Sequence, residues 1–153
     1  MIENKEKINF KPIIGLALVS LIICGLFFPL LITGIAQVFF PYQANGEILQ
    51  LNGKAVGSNF IAQTFTLPVF FHTRNETASP STSGVDPDIL LQDAYNQIPQ
   101  ISNATGISSP ALKSIVDQNQ EGTWIFGSPY INVLRVNLAL IKEYPTVYSN
   151  FTG

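Results

Sequence analysis

Between Lys11 and Glu47 the chain carries no charged side chain, and most of that stretch is apolar. Residues 13–40 read IIGLALVSLIICGLFFPLLITGIAQVFF. A bilayer-spanning helix needs about 20 apolar residues, against roughly 10–14 for a buried core helix. The run therefore predicts a membrane span that begins near Ile13, carries Pro29 at its middle and closes at Phe40. As a helix it is about 42 Å long at ~1.5 Å per residue, more than a hydrocarbon core of about 30 Å. It must tilt, or release its last turn into the interface, where Phe39, Phe40 and Tyr42 suit the boundary. Pro29 forfeits one backbone bond, which a neighbouring membrane helix can help to satisfy.

Lys5, Lys7 and Lys11 precede the run, and the next basic residue is Lys54. Positive charges near a span stay cytoplasmic, and Glu3 and Glu6 count little against them. The expected layout is a cytoplasmic N-terminus over residues 1–11, a transmembrane helix over 12–41 and an outer domain over 42–153. Gly34-Ile35-Ala36 has the form of a signal-peptidase site, but the apolar stretch before it is longer than the ~7–15 residues of a signal core. A retained anchor is the reading adopted. Cys24 has bulky Ile22 and Ile23 where a lipoprotein needs small residues; as the sole cysteine it excludes an intrachain disulfide.

Past Pro41 the pattern is that of a small mixed α/β domain, which makes the fold class α+β with one N-terminal transmembrane helix. Asn52-Gly53 is a hairpin turn signal between strand candidates at 47–51 and 54–57. Residues 59–65 and 69–72 read as further short strands, and 73–85 as a loop. Asp86-Pro87 reads as a helix start, with Leu90, Leu91, Ala94, Tyr95 and Ile98 at helical spacing and Pro99 ending or kinking the helix. Ser109-Pro110 repeats the start signal. Residues 130–136 read as a strand and 138–144 as a helix.

The chain offers little catalytic chemistry. Gly53-Lys54 is followed by Ala55 and lacks the earlier glycine of a phosphate loop. No Gly-x-Ser-x-Gly turn occurs, and His72 is the only histidine. One histidine and one membrane-buried cysteine do not make a nitrogen–sulfur zinc site. Asp86, Asp88 and Asp93 lack the glycine and terminal glutamate of a calcium loop, and are expected to complement a helix N-terminus. Trp124, near Phe126 and Tyr130, reads as core or interface. The outer part is mildly acidic without a basic patch, so nucleic acid is not an expected partner. Asn-x-Ser/Thr acceptors at Asn75, Asn103 and Asn150 all lie on the predicted outer side.

Short motifs accumulate from the end of the span onward. Phe40-Pro41-Tyr42-Gln43-Ala44-Asn45-Gly46 comes first, then Val56-Gly57-Ser58 with Ile61-Ala62-Gln63 and Phe65, then Phe71-His72. Ser83-Gly84 with Asp86-Pro87, Ala94-Tyr95 with Gln97-Ile98-Pro99, and Ile131-Asn132-Val133-Leu134 with Val136-Asn137-Leu138 follow in order. In this series the chain resembles the KdpC family, a component of the Kdp potassium-transporting P-type ATPase. It departs from that family at Thr73-Arg74-Asn75-Glu76, where members have Gly-Arg-Pro-Ser, and in a segment before Asp86 cut down to residues 81–84. Gln100 stands where an arginine is usual.

The resemblance implies an accessory subunit, not an enzyme by itself, that assembles and stabilises a high-affinity potassium pump. It implies a catalytic chaperone that raises the ATP affinity of the ATP-hydrolysing subunit. The implied partners are that subunit, a channel-like potassium-binding subunit, a small single-span subunit and the lipid bilayer. The chain would need no cofactor of its own, since ATP and potassium are handled by the partners. Ser83 and Gly84 are its only nucleotide-contact candidates. Motif positions expected at interfaces are Gln43, Asn45, Gly46, Gly57, Ser58, Gln63, His72, Asn132 and Asn137. The alternatives are a membrane-anchored sensor or pilin-like ectodomain, although Lys11-Pro12 lacks a pilin processing glycine, and an anchored outer enzyme, which no nucleophile–base pairing supports.

Overall fold

The computed structural model describes residues 10–73, 85–122 and 127–151. The chain divides into two compact units, one ending at Asn45 and the other beginning at Gly46. In the first, α1 (Phe10–Ile22), a π-turn (Ile23–Phe27) and α2 (Phe28–Phe39) form one apolar helix over Phe10–Phe39, long enough to cross a membrane and with no buried side chain. The π-turn has a local cause. Proline lacks an N–H, and its ring crowds the carbonyl four residues earlier, here Gly25. The backbone widens just ahead of Pro29, with the Phe28 N–H donating to the Ile23 carbonyl. Thr33 Oγ1 then donates to the Pro29 carbonyl at 2.8 Å.

The helix breaks at Phe40 (φ −136°, ψ 52°), and α3 (Pro41–Ala44) follows as a single turn. The side-chain amides of Gln37 and Asn45 pair across this break, and Asn45 Nδ2 also donates to the Pro41 carbonyl at 2.6 Å.

The second unit opens with the expected hairpin, β1 (Ile48–Leu51) and β2 (Lys54–Ser58), antiparallel with an irregularity between Leu49 and Gln50. Asn52 (φ 51°) and Gly53 (φ 78°) make the turn in the left-handed region that Asn and Gly tolerate best. A second antiparallel sheet has the order β3-β5-β4, from β3 (Asp88–Leu90), β4 (Gln120–Glu121) and β5 (Tyr130–Asn132). Among the described residues the unit also has three α-helices, α4 (Leu91–Thr105), α5 (Ser109–Gln118) and α6 (Val133–Glu143), and a 3-10 turn at Ser149–Phe151. The core is aliphatic and aromatic, with Phe71, Ile89, Ile131, Leu112, Leu140 and Tyr148 essentially inaccessible.

Several local expectations are corrected. No helix starts at Asp86-Pro87: Asp86 Oδ1 accepts the Asp88 N–H at 3.0 Å, the Pro87 carbonyl accepts the Val133 N–H, and residues 88–90 pair with β5. The helix begins instead at Leu91, so only Asp93 of the three aspartates lies in a first turn. Pro99 neither ends nor interrupts α4, which continues to Thr105 and closes on Gly106 at φ 74°. The strand at Tyr130 stops after Asn132, because Val133, Val136 and Leu140 form one buried helical stripe that overrides their β-branched preference. Residues 59–65 and 69–72 run without strand pairing.

That unpaired segment is held by side chains. Phe71 is fully buried, its N–H donating to Asn137 Oδ1 at 2.8 Å and its carbonyl accepting Asn137 Nδ2 at 2.9 Å. Its neighbour is held from α4: the His72 N–H donates to Gln97 Oε1 at 2.8 Å, and Gln97 Nε2 donates to the His72 carbonyl at 3.1 Å. Replacing Asn137 by Ala strands both buried peptide groups of Phe71, at about 1–3 kcal/mol each before relaxation. Denaturant unfolding of the full chain in detergent should show Asn137→Ala destabilised by about 3 kcal/mol, with Asn137→Gln intermediate; an unchanged midpoint would contradict the role given to this amide.

Candidate functional site

The motif residues fall into three groupings, each positioned by a different element. At the start of the second unit, Gly46 (φ 80°) presents its carbonyl to Ser58 Oγ at 2.6 Å. Asn59 donates to Glu47 twice, from its N–H to the carbonyl at 3.0 Å and from Nδ2 to Oε2 at 2.8 Å. The beginning of the second unit and the end of the hairpin are thus one corner.

The second grouping lies between the hairpin and α6. Gly57 is closely approached: a Cβ would stand 2.8 Å from Leu134 Cδ2 and 3.1 Å from Gln63 Cδ, so any larger residue requires these side chains to shift. Beside it is an open recess of about 360 Å³, bordered by Val56, Gln63, Phe65, Leu134, Leu138 and Phe151. Its lining is mostly apolar, and the amide of Asn137 at its wall is committed to Phe71. His72 lies nearby, its Nδ1 bonded to the Phe65 carbonyl, which requires the proton on Nδ1. Both backbone groups and one ring nitrogen of His72 are therefore engaged in holding the fold.

Asn132 is the third node and ends β5. Its Oδ1 accepts the Arg135 N–H at 3.2 Å as the cap of α6. Its Nδ2 donates to the Asn59 carbonyl at 2.8 Å and to Asp88 Oδ1 at 3.1 Å. Burial raises the Asp88 pKa and the Asp86 charge raises it further, against a lowering by the bond from Asn132. Arg135 pairs with Glu121 next to this cluster.

Of the remaining expected positions, Gln43 is exposed on α3 and Asn45 pairs with Gln37 as described. Ile13, Pro29 and Phe40 belong to the first unit, the one with the long apolar helix. Ser83 and Gly84, the nucleotide candidates, lie outside the described residues, as do Asn75, Trp124 and Phe126. Asn103 and Asn150 are exposed. Gln97, Glu47 and Asn59 carry structural bonds that the sequence reading did not single out. Gln97 had a legible signal, a polar residue on the α4 stripe formed by Ala94, Ile98 and Ile101.

Elsewhere on the surface, Tyr95 donates to Asp117 Oδ1 at 2.5 Å, and Lys113 pairs with Asp117 Oδ2 at 2.9 Å. These bonds tie α4 to α5 and hold the Asp117 carboxyl below its ordinary range, Tyr95 contributing most. Such exposed bonds are worth little to stability. Among the described residues, no group of three or more His, Cys, Asp or Glu side chains is arranged to hold a metal ion.

The Asp88 shift sets a pH dependence. A carboxyl whose folded pKa is raised favours folding fully only below its unfolded value near 3.8, and that contribution is lost as pH rises through the folded value. Asp88→Asn keeps the Oδ1 acceptor and removes the charge. Thermal unfolding should show Asp88→Asn more stable than the parent at neutral pH, with the difference shrinking as pH falls towards 3.8; a difference independent of pH would contradict the assignment.

Comparison with known proteins places these motifs in a single family. The profile described as "K+-transporting ATPase, c chain" matches residues 10–80 and 75–142. The potassium-transporting ATPase KdpC subunit of Caldanaerobacter subterraneus subsp. tengcongensis is 32% identical, over 88% of this chain and 95% of its own length. The corresponding proteins of Koribacter versatilis (30%; 91% of this chain, 97% of the relative) and Clostridium kluyveri (32%; 87% and 92%) match similarly. The first alignment runs over 184 residues against a chain of 153, so that relative carries internal sequence with no counterpart here. With one helix long and apolar enough to cross a membrane, a second compact unit and these motifs in order, the chain belongs to the KdpC family, the c chain of the K+-transporting ATPase.

Proposed function

We propose that this chain is the single-span accessory subunit of an ATP-driven potassium uptake complex. It works there by assembling and stabilising the pump and by raising the ATP affinity of the ATP-hydrolysing subunit. The observation that carries this reading is the extent of the family match, which covers the apolar helix and most of the outer unit together. Its partners are the ATP-hydrolysing subunit, a channel-like potassium-binding subunit and a small single-span subunit, and it holds no cofactor of its own.

The basic residues before the span favour a cytoplasmic N-terminus and an outer C-terminal domain. ATP is then on the far side of the membrane from nearly all of this chain. The effect on ATP is therefore indirect, transmitted through the span and the grip of the outer domain on its neighbours. The internal hydrogen bonds of His72, Asn132 and Asn137 support a framework role for these residues rather than a catalytic one. The short segment before Asp86, with Ser83 and Gly84, gives direct nucleotide contact little chain to work with.

The test is co-expression of the full chain with the other subunits and purification in mild detergent. The chain should co-purify in fixed stoichiometry, and a complex prepared without it should show a raised apparent KM for ATP. The purified chain alone should not be specifically labelled by a photoreactive ATP analogue. Absence from the complex would overturn the accessory reading; specific labelling of the chain alone would overturn the indirect route.

A further inference from the structure

The turn after β2 presents large apolar side chains to solvent, Phe60 at 55% and Ile61 at 50% exposure. Two more exposed apolar residues are joined through the backbone to this turn. Ile48, 40% exposed, faces Ser58 in the hairpin register, and Val85, 47% exposed, accepts the Ala62 N–H at 2.9 Å. Isolated exposed apolar residues are ordinary, but a contiguous group marks an interaction surface.

The patch is tied to the point where the outer unit begins. Ser58 Oγ donates to the Gly46 carbonyl at 2.6 Å and accepts the Phe60 N–H at 3.1 Å. Two further bonds join Asn59 to Glu47, at 3.0 and 2.8 Å. Gly46 follows Asn45, the last residue of the membrane-side unit, in the chain. Phe60 is thus two hydrogen bonds away from the residue at which the polypeptide leaves that unit.

Charge distinguishes the possible occupants. The surroundings are acidic: Glu47 is bonded to Asn59, and Asp88 Oδ1 shares Asn132 Nδ2 with the Asn59 carbonyl, with Asp86 next to it. Arg135, the basic group that acts on Asp88, is paired with Glu121. Surfaces that settle on anionic lipid carry Lys and Arg around their apolar residues. This corner has the opposite rim, matching the apolar centre and charged edge of a protein interface.

We propose that the corner formed by Phe60 and Ile61, rimmed by Glu47, Asp86 and Asp88, docks a protein partner. That partner presents an apolar pocket flanked by Lys or Arg at the membrane boundary. The inference rests on the accessory-subunit reading and makes the partner another subunit of the same complex. Phe60 and Ile61 fill the pocket, while the carboxylates set register and add a salt-sensitive attraction.

The test places the photoreactive side chain p-benzoylphenylalanine at position 60 and, separately, at 61 of the full chain in the assembled complex. Irradiation and mass spectrometry should find an adduct in another subunit, on a segment containing Lys or Arg. Phe60→Ser combined with Ile61→Ser should speed loss of the chain from the complex by roughly tenfold, and Glu47→Gln should flatten the salt dependence of that loss. Adducts confined to lipid, adducts confined to a second copy of this chain, or no adduct in an intact complex each overturn the proposal while leaving the accessory role standing. A complex that does not incorporate the parent chain overturns both.

Discussion

The second unit depends on how it treats one buried peptide segment. Phe71 and His72 run extended through the interior, where backbone groups left without partners would cost about 1–3 kcal/mol each. Among the described residues no strand pairs with them. Two side-chain amides take that place, because an Asn or Gln terminus offers one donor and one acceptor at the spacing of a peptide group. Successive residues of an extended chain point their N–H and C=O groups to opposite sides, so Phe71 is met by Asn137 of α6 and His72 by Gln97 of α4. The clamp thereby fixes both helices to the segment between them, with Tyr148 closing over the same region and donating to the Val69 carbonyl at 2.8 Å.

This changes what the motif residues mean. His72, the only histidine, bonds through both backbone groups to Gln97 and through Nδ1 to the Phe65 carbonyl, as suits a structural residue. Asn132 caps a helix and ties β3 to the corner after β2, and Gly57 makes room for Leu134. The motifs that identify the family are largely those that build its scaffold. In a subunit proposed to act by contact, function belongs to what the scaffold displays, the apolar corner near Gly46 and the uncharged helix before it.

The membrane-side unit shows the same economy. Pro29 costs a helical bond, and the π-turn ahead of it spreads the strain over Ile23–Phe27. At the other end the Gln37–Asn45 amide pair bridges the break at Phe40, so the helix ends in a braced elbow. If this helix crosses a bilayer, the pair supplies the internal partners that amide groups near hydrocarbon require.

Much of this was legible in the sequence. The uncharged run and the hairpin at Asn52-Gly53 follow from local chemistry: bilayer length and left-handed turn residues act within a few residues. A helix does start at the expected Ser109-Pro110, but its N-cap is Ser108, without a side-chain cap bond. The family, too, was readable from the order of its motifs. What the sequence could not decide was set by distant partners. Asp86-Pro87 has the signature of a helix start, but pairing with β5 made residues 88–90 a strand. Val133 and Val136 favour strand locally, but burial of the α6 stripe made them helical. The same holds for roles, since whether His72, Asn132 or Asn137 is free for chemistry depends on which peptide groups the fold brings to it. The bilayer acts on the composition of a single contiguous segment, so the span is written in order along the chain. The scaffold arises from contacts between residues as far apart as Phe71 and Asn137, and only the tertiary structure could assign them.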